Sequence, residues 1–109
     1  MTATDTLDRT FDALASAHRR RIVRELRTGD LGTPELGERF TMSKQALHRH
    51  VQVLEAAGLV ERRREGRTHR LSLVQDPLSD VTNWVSEVQR GWEASLDRLG
   101  DVIEEDGHE

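Results

Sequence analysis

The sequence predicts a mainly α domain with one small β-hairpin, and three observations carry the prediction. Apolar residues recur at steps of three and four along much of the 109-residue chain, the spacing of amphipathic helices. Two strand-like runs, 60–64 and 68–74, flank Glu65-Gly66-Arg67, which reads as a hairpin bend. Thr33-Pro34 and Asp76-Pro77 each read as a helix start, because proline tolerates the first turn where its missing N–H has no partner to lose.

In chain order, Leu7, Phe11 and Leu14 predict a first helix of about three turns. Ser16 is placed to cap a second helix, AHRRRIVRELRTG, with Ile22, Val23 and Leu26 on its apolar face and Gly29 as its stop. Thr33 offers a capping hydroxyl and Pro34 the first position of a short third helix, with Leu36 and Phe40 pointing inward. Thr41 and Met42 make a turn. Ser43 then caps a fourth helix that runs to about Ala57 and stops at Gly58. The hairpin follows, and Gly66 supplies the positive φ that such a bend commonly needs.

The last helix carries Leu78, Val81, Val85, Val88, Trp92, Leu96, Leu99 and Ile103 at steps of 3, 4, 3, 4, 4, 3 and 4, a sustained apolar stripe. The acidic tail, 104–109, is expected to fray. A short helix, a turn, a longer helix and a basic hairpin together make a winged helix–turn–helix. Its helix–turn–helix spans 33–57, its wing 60–74 and its last helix 77–103, in a single domain of residues 1–109.

A chain of this length holds one domain with a modest core. With 35% hydrophobic and 33% charged residues, it can complete that core by dimerising. The absence of cysteine excludes disulfides and thiolate metal ligands. No apolar run approaches the roughly 20 residues that span a bilayer. The opening MTATDTLDRTF lacks a basic region followed by an apolar stretch. A cytoplasmic protein without a membrane partner is expected.

The formal net charge of −4 conceals a segregation. Residues 17–70 hold 13 Arg/Lys against 7 Asp/Glu, residues 71–109 hold 2 against 10, and residues 1–16 hold 1 against 3. A basic body with an acidic end implies a polyanion partner for the body.

On a helical wheel of residues 44–56, Leu47, Val51 and Leu54 share one face, and Gln45, His48, Arg49 and Gln52 the opposite one. These four carry the donors and acceptors that read base edges, Arg favouring guanine and Gln adenine. Ser43 and Lys44 sit at the N-terminal end, where backbone N–H groups and side chains meet phosphate. A polar helix face alone is most often merely solvated. The capped helix before it and the basic hairpin after it turn the reading toward double-stranded DNA.

Arg62, Arg63, Arg64, Arg67 and Arg70 crowd the hairpin. Arginine suits the phosphate backbone and the minor groove beside a major-groove helix. Alternation divides the five between two faces, so Arg64 and Arg67, flanking the tip, are the first candidates. A charged edge strand that resists aggregation would explain two or three of them.

Other chemistry finds little support. Five histidines are present, but no carboxylate–histidine spacing of a closed metal site, so no metal or cofactor is expected. No glycine-rich phosphate loop or paired acid and base marks an enzyme. Trp84 and Trp92 lie eight apart on nearly one side of the last helix, as core or subunit-interface residues. The sharper alternative is an apolar pocket between subunits for a small-molecule effector.

Two segments carry a family likeness. LASAHRRRIV and TPELGERFTMSKQALHRHVQVLEAAGLVERRREGRTHRLSL resemble the ArsR-type winged-helix transcriptional regulators, over roughly Phe11 to Leu99 and most specifically from Met42 to Val60. The resemblance implies a homodimer, with two reading helices in successive major grooves of a palindromic operator. It implies a dimer interface of the first and last helices, here Leu7, Phe11, Val81, Trp84, Val85, Val88, Trp92, Leu96 and Leu99. It also implies that Arg19 contacts phosphate.

The metal-sensing branches carry a cysteine pair in the third helix, or carboxylate and histidine ligands on the last. Here the third helix reads PELGERF, and no histidine follows the wing until His108. Gly66-Arg67-Thr68-His69 and Trp92…Leu96-Asp97-Arg98-Leu99 instead resemble a metal-independent subgroup. Gly91 departs from it, standing where a bulky aromatic is expected.

The expected function is a sequence-specific DNA-binding transcriptional regulator, a dimeric repressor in the family's usual mode. The alternative is a winged-helix module whose wing and helix face bind another protein.

Overall fold

The structure is a computed structural model that describes residues 3–107, with the side chains of residues 5–101. Ile103 and His108, both named above, lie outside the described side chains. The elements run α1 (Ala3–Leu14), α2 (Ala17–Leu26), β1 (Leu31–Gly32), α3 (Thr33–Glu38), α4 (Lys44–Ala56), β2 (Val60–Glu65), β3 (Thr68–Leu73) and α5 (Asp76–Gly107). The chain divides into two compact units, one ending at Ser79 and one beginning at Asp80.

Local chemistry sets the helix boundaries. Ser16 caps α2, its hydroxyl accepting from the Arg19 N–H at 3.3 Å. Ser43 caps α4 in the same way, accepting from the Ala46 N–H at 3.1 Å. At the other end of α4 the Leu59 N–H bonds Leu54 O at 3.0 Å and the Gly58 N–H bonds Glu55 O at 2.9 Å. Gly58 takes φ +76, so the end is a Schellman motif, with Leu54 and Leu59 both buried in the same core.

The expected start of the third helix is corrected. Gly32, not Thr33, is the N-cap of α3, without a side-chain cap bond, and Pro34 lies inside the first turn. The cause is a strand that the sequence reading omitted. Leu31 and Gly32 pair with Leu71 and Arg70, which fixes the chain in extended form up to Gly32. The sheet therefore has three antiparallel strands in the order β1-β3-β2 rather than two. The hairpin register runs from Val60↔Leu73 to Glu65↔Thr68, leaving Gly66-Arg67 as a two-residue turn. Gly66 has φ +62 and Arg67 does not share the positive sign, the pattern of a type II′ turn.

The core of the first unit gathers Ile22 and Leu26 of α2, Leu36 of α3, Leu54 of α4, and Leu59 and Leu71 beside and within the sheet. On α1, formed where the spacing of Leu7, Phe11 and Leu14 predicts a helix, the deepest residues are Thr10 and Ala13, and Leu14 packs partly buried against the core. Phe11 is 39% exposed. The fully buried Thr10 hydroxyl donates to Thr6 O at 2.9 Å, so it costs no orphaned donor.

Most of α5 belongs to the second unit. It runs unbroken through Gly91 and on to Gly107, past the point where the tail was expected to fray. The Ser95 hydroxyl bonds Gly91 O at 3.0 Å. Val88 is 50% and Trp92 63% exposed. No described helix is long and apolar enough to cross a membrane.

Candidate nucleic-acid interface

Helix α4 sorts its residues by face. Leu47, Val51 and Leu54 are buried, while Gln45, His48, Arg49 and Gln52 are exposed. The apolar spacing thus anchors the helix and turns the four candidate readers to solvent together. Lys44 is also exposed, at the first position of the helix. The Ser43 oxygen accepts the capping bond, and its O–H remains a donor for an acceptor outside the helix. The N-terminal end of α4 thus presents a hydroxyl, an ammonium group and the positive end of a helix dipole.

The pleat orders the wing. Val60, Arg62 and Arg64 on β2 share a face with their partners Leu73, Leu71 and His69. That face is buried at Val60 and Leu71, half-buried at Arg62 and His69, and exposed at Arg64. Arg64 Nε donates to Gly66 O at 3.4 Å, and Arg67 is exposed in the turn. The structure therefore places Arg64 and Arg67 at the tip, free of carboxylate partners among the described ion pairs. Arg70, on the other face, turns back to Asp30 O at 3.3 Å and to Glu65 Oε2 at 3.8 Å.

Arg62 has an occupation that the sequence reading missed. Its Nη2 lies 3.1 Å from Glu55 Oε1, and its Nη1 lies 3.5 Å from His48 Nδ1. Glu55 Oε1 is buried without a directed hydrogen bond, so the first contact is an ion pair that neutralises an enclosed carboxylate oxygen. Glu55 and His48 stand seven residues apart, two turns along α4, and Arg62 spans them from the wing. The signal was a half-exposed acidic residue on α4 opposite one of five arginines, which only the hairpin register could single out.

Arg19 also departs from expectation. Its Nε donates to Ala13 O at 2.6 Å, its Nη2 to Asp12 O at 3.2 Å, and its Nη1 lies 3.3 Å from His50 Nδ1. The guanidinium thus closes the carbonyl end of α1 and touches α4, a geometry that favours an internal clamp over a phosphate contact. His18 stacks at a tilt on His50, with ring centroids 5.5 Å apart, a facing pair not visible in the spacing. Burial first, and then the charges of Arg19, His18 and Arg49, hold the His50 pKa below its ordinary value.

Between α3, α4 and the wing lies a cleft of about 680 Å³, whose lining includes the apolar Leu36, Leu47, Val51 and Leu71 and the imidazoles of His48 and His69. No grouping of three or more histidine or acidic side chains suited to a metal ion occurs among the described residues.

A sequence model of the MarR family matches residues 18–71, from α2 into β3. The chain is 29% identical over 79 residues to the transcriptional repressor SdpR of Bacillus subtilis, across 72% of this chain and 88% of that one. It is 31% identical over 100 residues to the HTH-type transcriptional regulator Rv2034 of Mycobacterium tuberculosis, across 92% of this chain and 91% of that one. An ArsR-like transcriptional regulator from Rhodococcus sp. RHA1 superposes with a TM-score of 0.78 at 27% identity, covering 91% of this chain and 93% of that one. These likenesses favour DNA binding over the protein-interaction alternative. With its helix–turn–helix, its basic wing and relatives matched over nearly their whole length, the chain belongs to the ArsR-type winged helix–turn–helix family of DNA-binding transcriptional regulators.

Proposed function

We propose that the protein is a homodimeric repressor that sets two copies of α4 in successive major grooves of a palindromic operator. The observation that carries this reading is the common exposure of Gln45, His48, Arg49 and Gln52 on one face of α4. Ser43 and Lys44 fix the backbone register, and Arg64 and Arg67 follow the neighbouring groove from the wing tip. Repression is the mode named for the relative SdpR.

The dimer is supported by the exposed apolar residues of α5, including Trp84, Val85, Val88, Trp92, Leu96 and Leu99. A stripe of that length in water is costly and is relieved by a second copy. Val81, half-buried, extends the stripe. Leu7 and Phe11 belong to the same proposed interface by family likeness. A small-molecule effector, where one acts, would meet the Trp84 and Trp92 rings. The protein would work in the cytoplasm, without catalysis, a resident metal or a cofactor.

Fluorescence anisotropy tests the reading, with duplex DNA from upstream of the protein's own gene against a scrambled duplex at two salt concentrations. Tighter binding to the upstream DNA in a complex of dimer mass supports it. Equal, salt-sensitive binding to both duplexes would remove sequence reading at that site. No binding at low salt would overturn the function.

A further inference from the structure

We propose that Arg62 fixes the tautomer of His48, and so makes His48 a reader of hydrogen-bond acceptors in the major groove. Arg62 is a positioning residue here. It acts on DNA through His48 rather than by its own contact. The inference rests on the DNA-reading assignment of α4 for its second half, but the tautomer itself does not.

A guanidinium has only donors. A hydrogen bond across the 3.5 Å between Arg62 Nη1 and His48 Nδ1 therefore requires Nδ1 to be the lone-pair nitrogen. The neutral ring then carries its proton on Nε2. Arg62 is itself held from behind by the Glu55 carboxylate at 3.1 Å and is half-buried, so its orientation does not depend on DNA. The wing supplies the arginine and the reading helix supplies both partners, two turns apart. Folding of the hairpin against α4 thus sets the hydrogen-bonding sense of one reader before any operator is met.

The chemical consequence is a rule for the base. An Nε2–H donates, so it suits guanine N7 or O6, adenine N7 or thymine O4. It rejects the exocyclic amino group of cytosine, which is itself a donor. With Arg62 removed, the ring can take either tautomer, and the Nε2 lone pair becomes available to cytosine.

Long-range proton–nitrogen NMR of the full chain at pH 8, above the ordinary imidazole range, reads the tautomer directly. The wild type is expected to show His48 with Nδ1 unprotonated, and Arg62→Ala to show a mixture. Glu55→Gln is the second variant. It keeps the guanidinium but loosens its anchor, and should move the spectrum in the same direction. A wild-type Nδ1–H ring, or an Arg62→Ala spectrum identical to wild type, would overturn the proposal.

On DNA, the base pair read by His48 is the one whose preference disappears in His48→Ala. Arg62→Ala should reduce discrimination against cytosine there about threefold to tenfold. It should change nothing further in a His48→Ala background, because the effect passes through that ring. Loss of one unit of salt slope with base preference intact would make Arg62 a phosphate contact and overturn the positioning role. If the tautomer results hold and no duplex is preferred by the wild type, it is the DNA-reading assignment that fails.

Discussion

Arg19 Nη1 lies 3.3 Å from His50 Nδ1, and through that contact the start of α2 is joined to the middle of α4. The same guanidinium holds two carbonyls at the end of α1. Three helices therefore meet at one side chain.

Arg19→Ala should consequently act on stability before it acts on DNA. The loss expected is about 1–3 kcal/mol, because two carbonyls and an imidazole lose a charged donor. Thermal unfolding gives the size of the loss. The salt slope of DNA binding should remain that of the wild type. A slope lower by about one would restore the phosphate contact that the family likeness implies.

The depressed His50 pKa sets a direction for pH. The folded state holds this imidazole neutral more firmly than the unfolded state does. Between the two pKa values the unfolded chain binds more protons, so stability rises with pH. The contribution is fully present above the ordinary value of 6.5 and is lost as pH falls below it toward the folded value. Melting temperature should fall from pH 7.5 to pH 5.5, and His50→Gln should flatten that dependence. Equal slopes for both proteins would refute the assignment.

Arg49→Ala removes one of the side chains proposed to read bases from the exposed face of α4. Operator affinity should drop by about 1–3 kcal/mol, with a relaxed preference at one base pair of each half-site. Competition with operators substituted one position at a time would show it. A uniform loss across all substituted duplexes would instead place Arg49 on the backbone.

Arg67→Ala, at the wing tip, should weaken every duplex alike and lower the salt slope by about one per protomer. Titrations over a range of salt concentrations decide this. Altered preference with an unchanged slope would make the wing a base reader.

Val88→Glu places a carboxylate in the exposed stripe of α5. It should weaken self-association by about 2 kcal/mol or more, as a charge buried at an interface centre does. Sedimentation velocity should then find monomers at concentrations where the wild type is dimeric. Persisting dimers would move the interface elsewhere.

The helix that carries the candidate site was largely legible in the sequence because its determinants are local. Ser43, Gly58 and the spacing of Leu47, Val51 and Leu54 each speak for α4 within a few residues, and the structure contains all of them in those roles. What stayed hidden depends on distant partners. β1 is two residues long, too short for alternation to register, and exists only by pairing with β3. That pairing also displaced the cap of α3 from Thr33 to Gly32. The buried side of α1 rests on Thr10 and Ala13, a polar and a small residue that apolar counting passes over. The clamps made by Arg19 and Arg62 join elements 31 and 14 residues apart, respectively, and charge composition ranks every arginine alike.

The division of the chain at Ser79 also bears on inheritance. The residues proposed to read DNA lie before it, and most of the stripe proposed for pairing lies after it. In the proposed homodimer, a lesion confined to α4 would leave a subunit still able to enter mixed dimers and disable its normal partner, so its effect would be dominant. A lesion in α5 would withdraw its own subunit alone, and one intact gene copy would mask it.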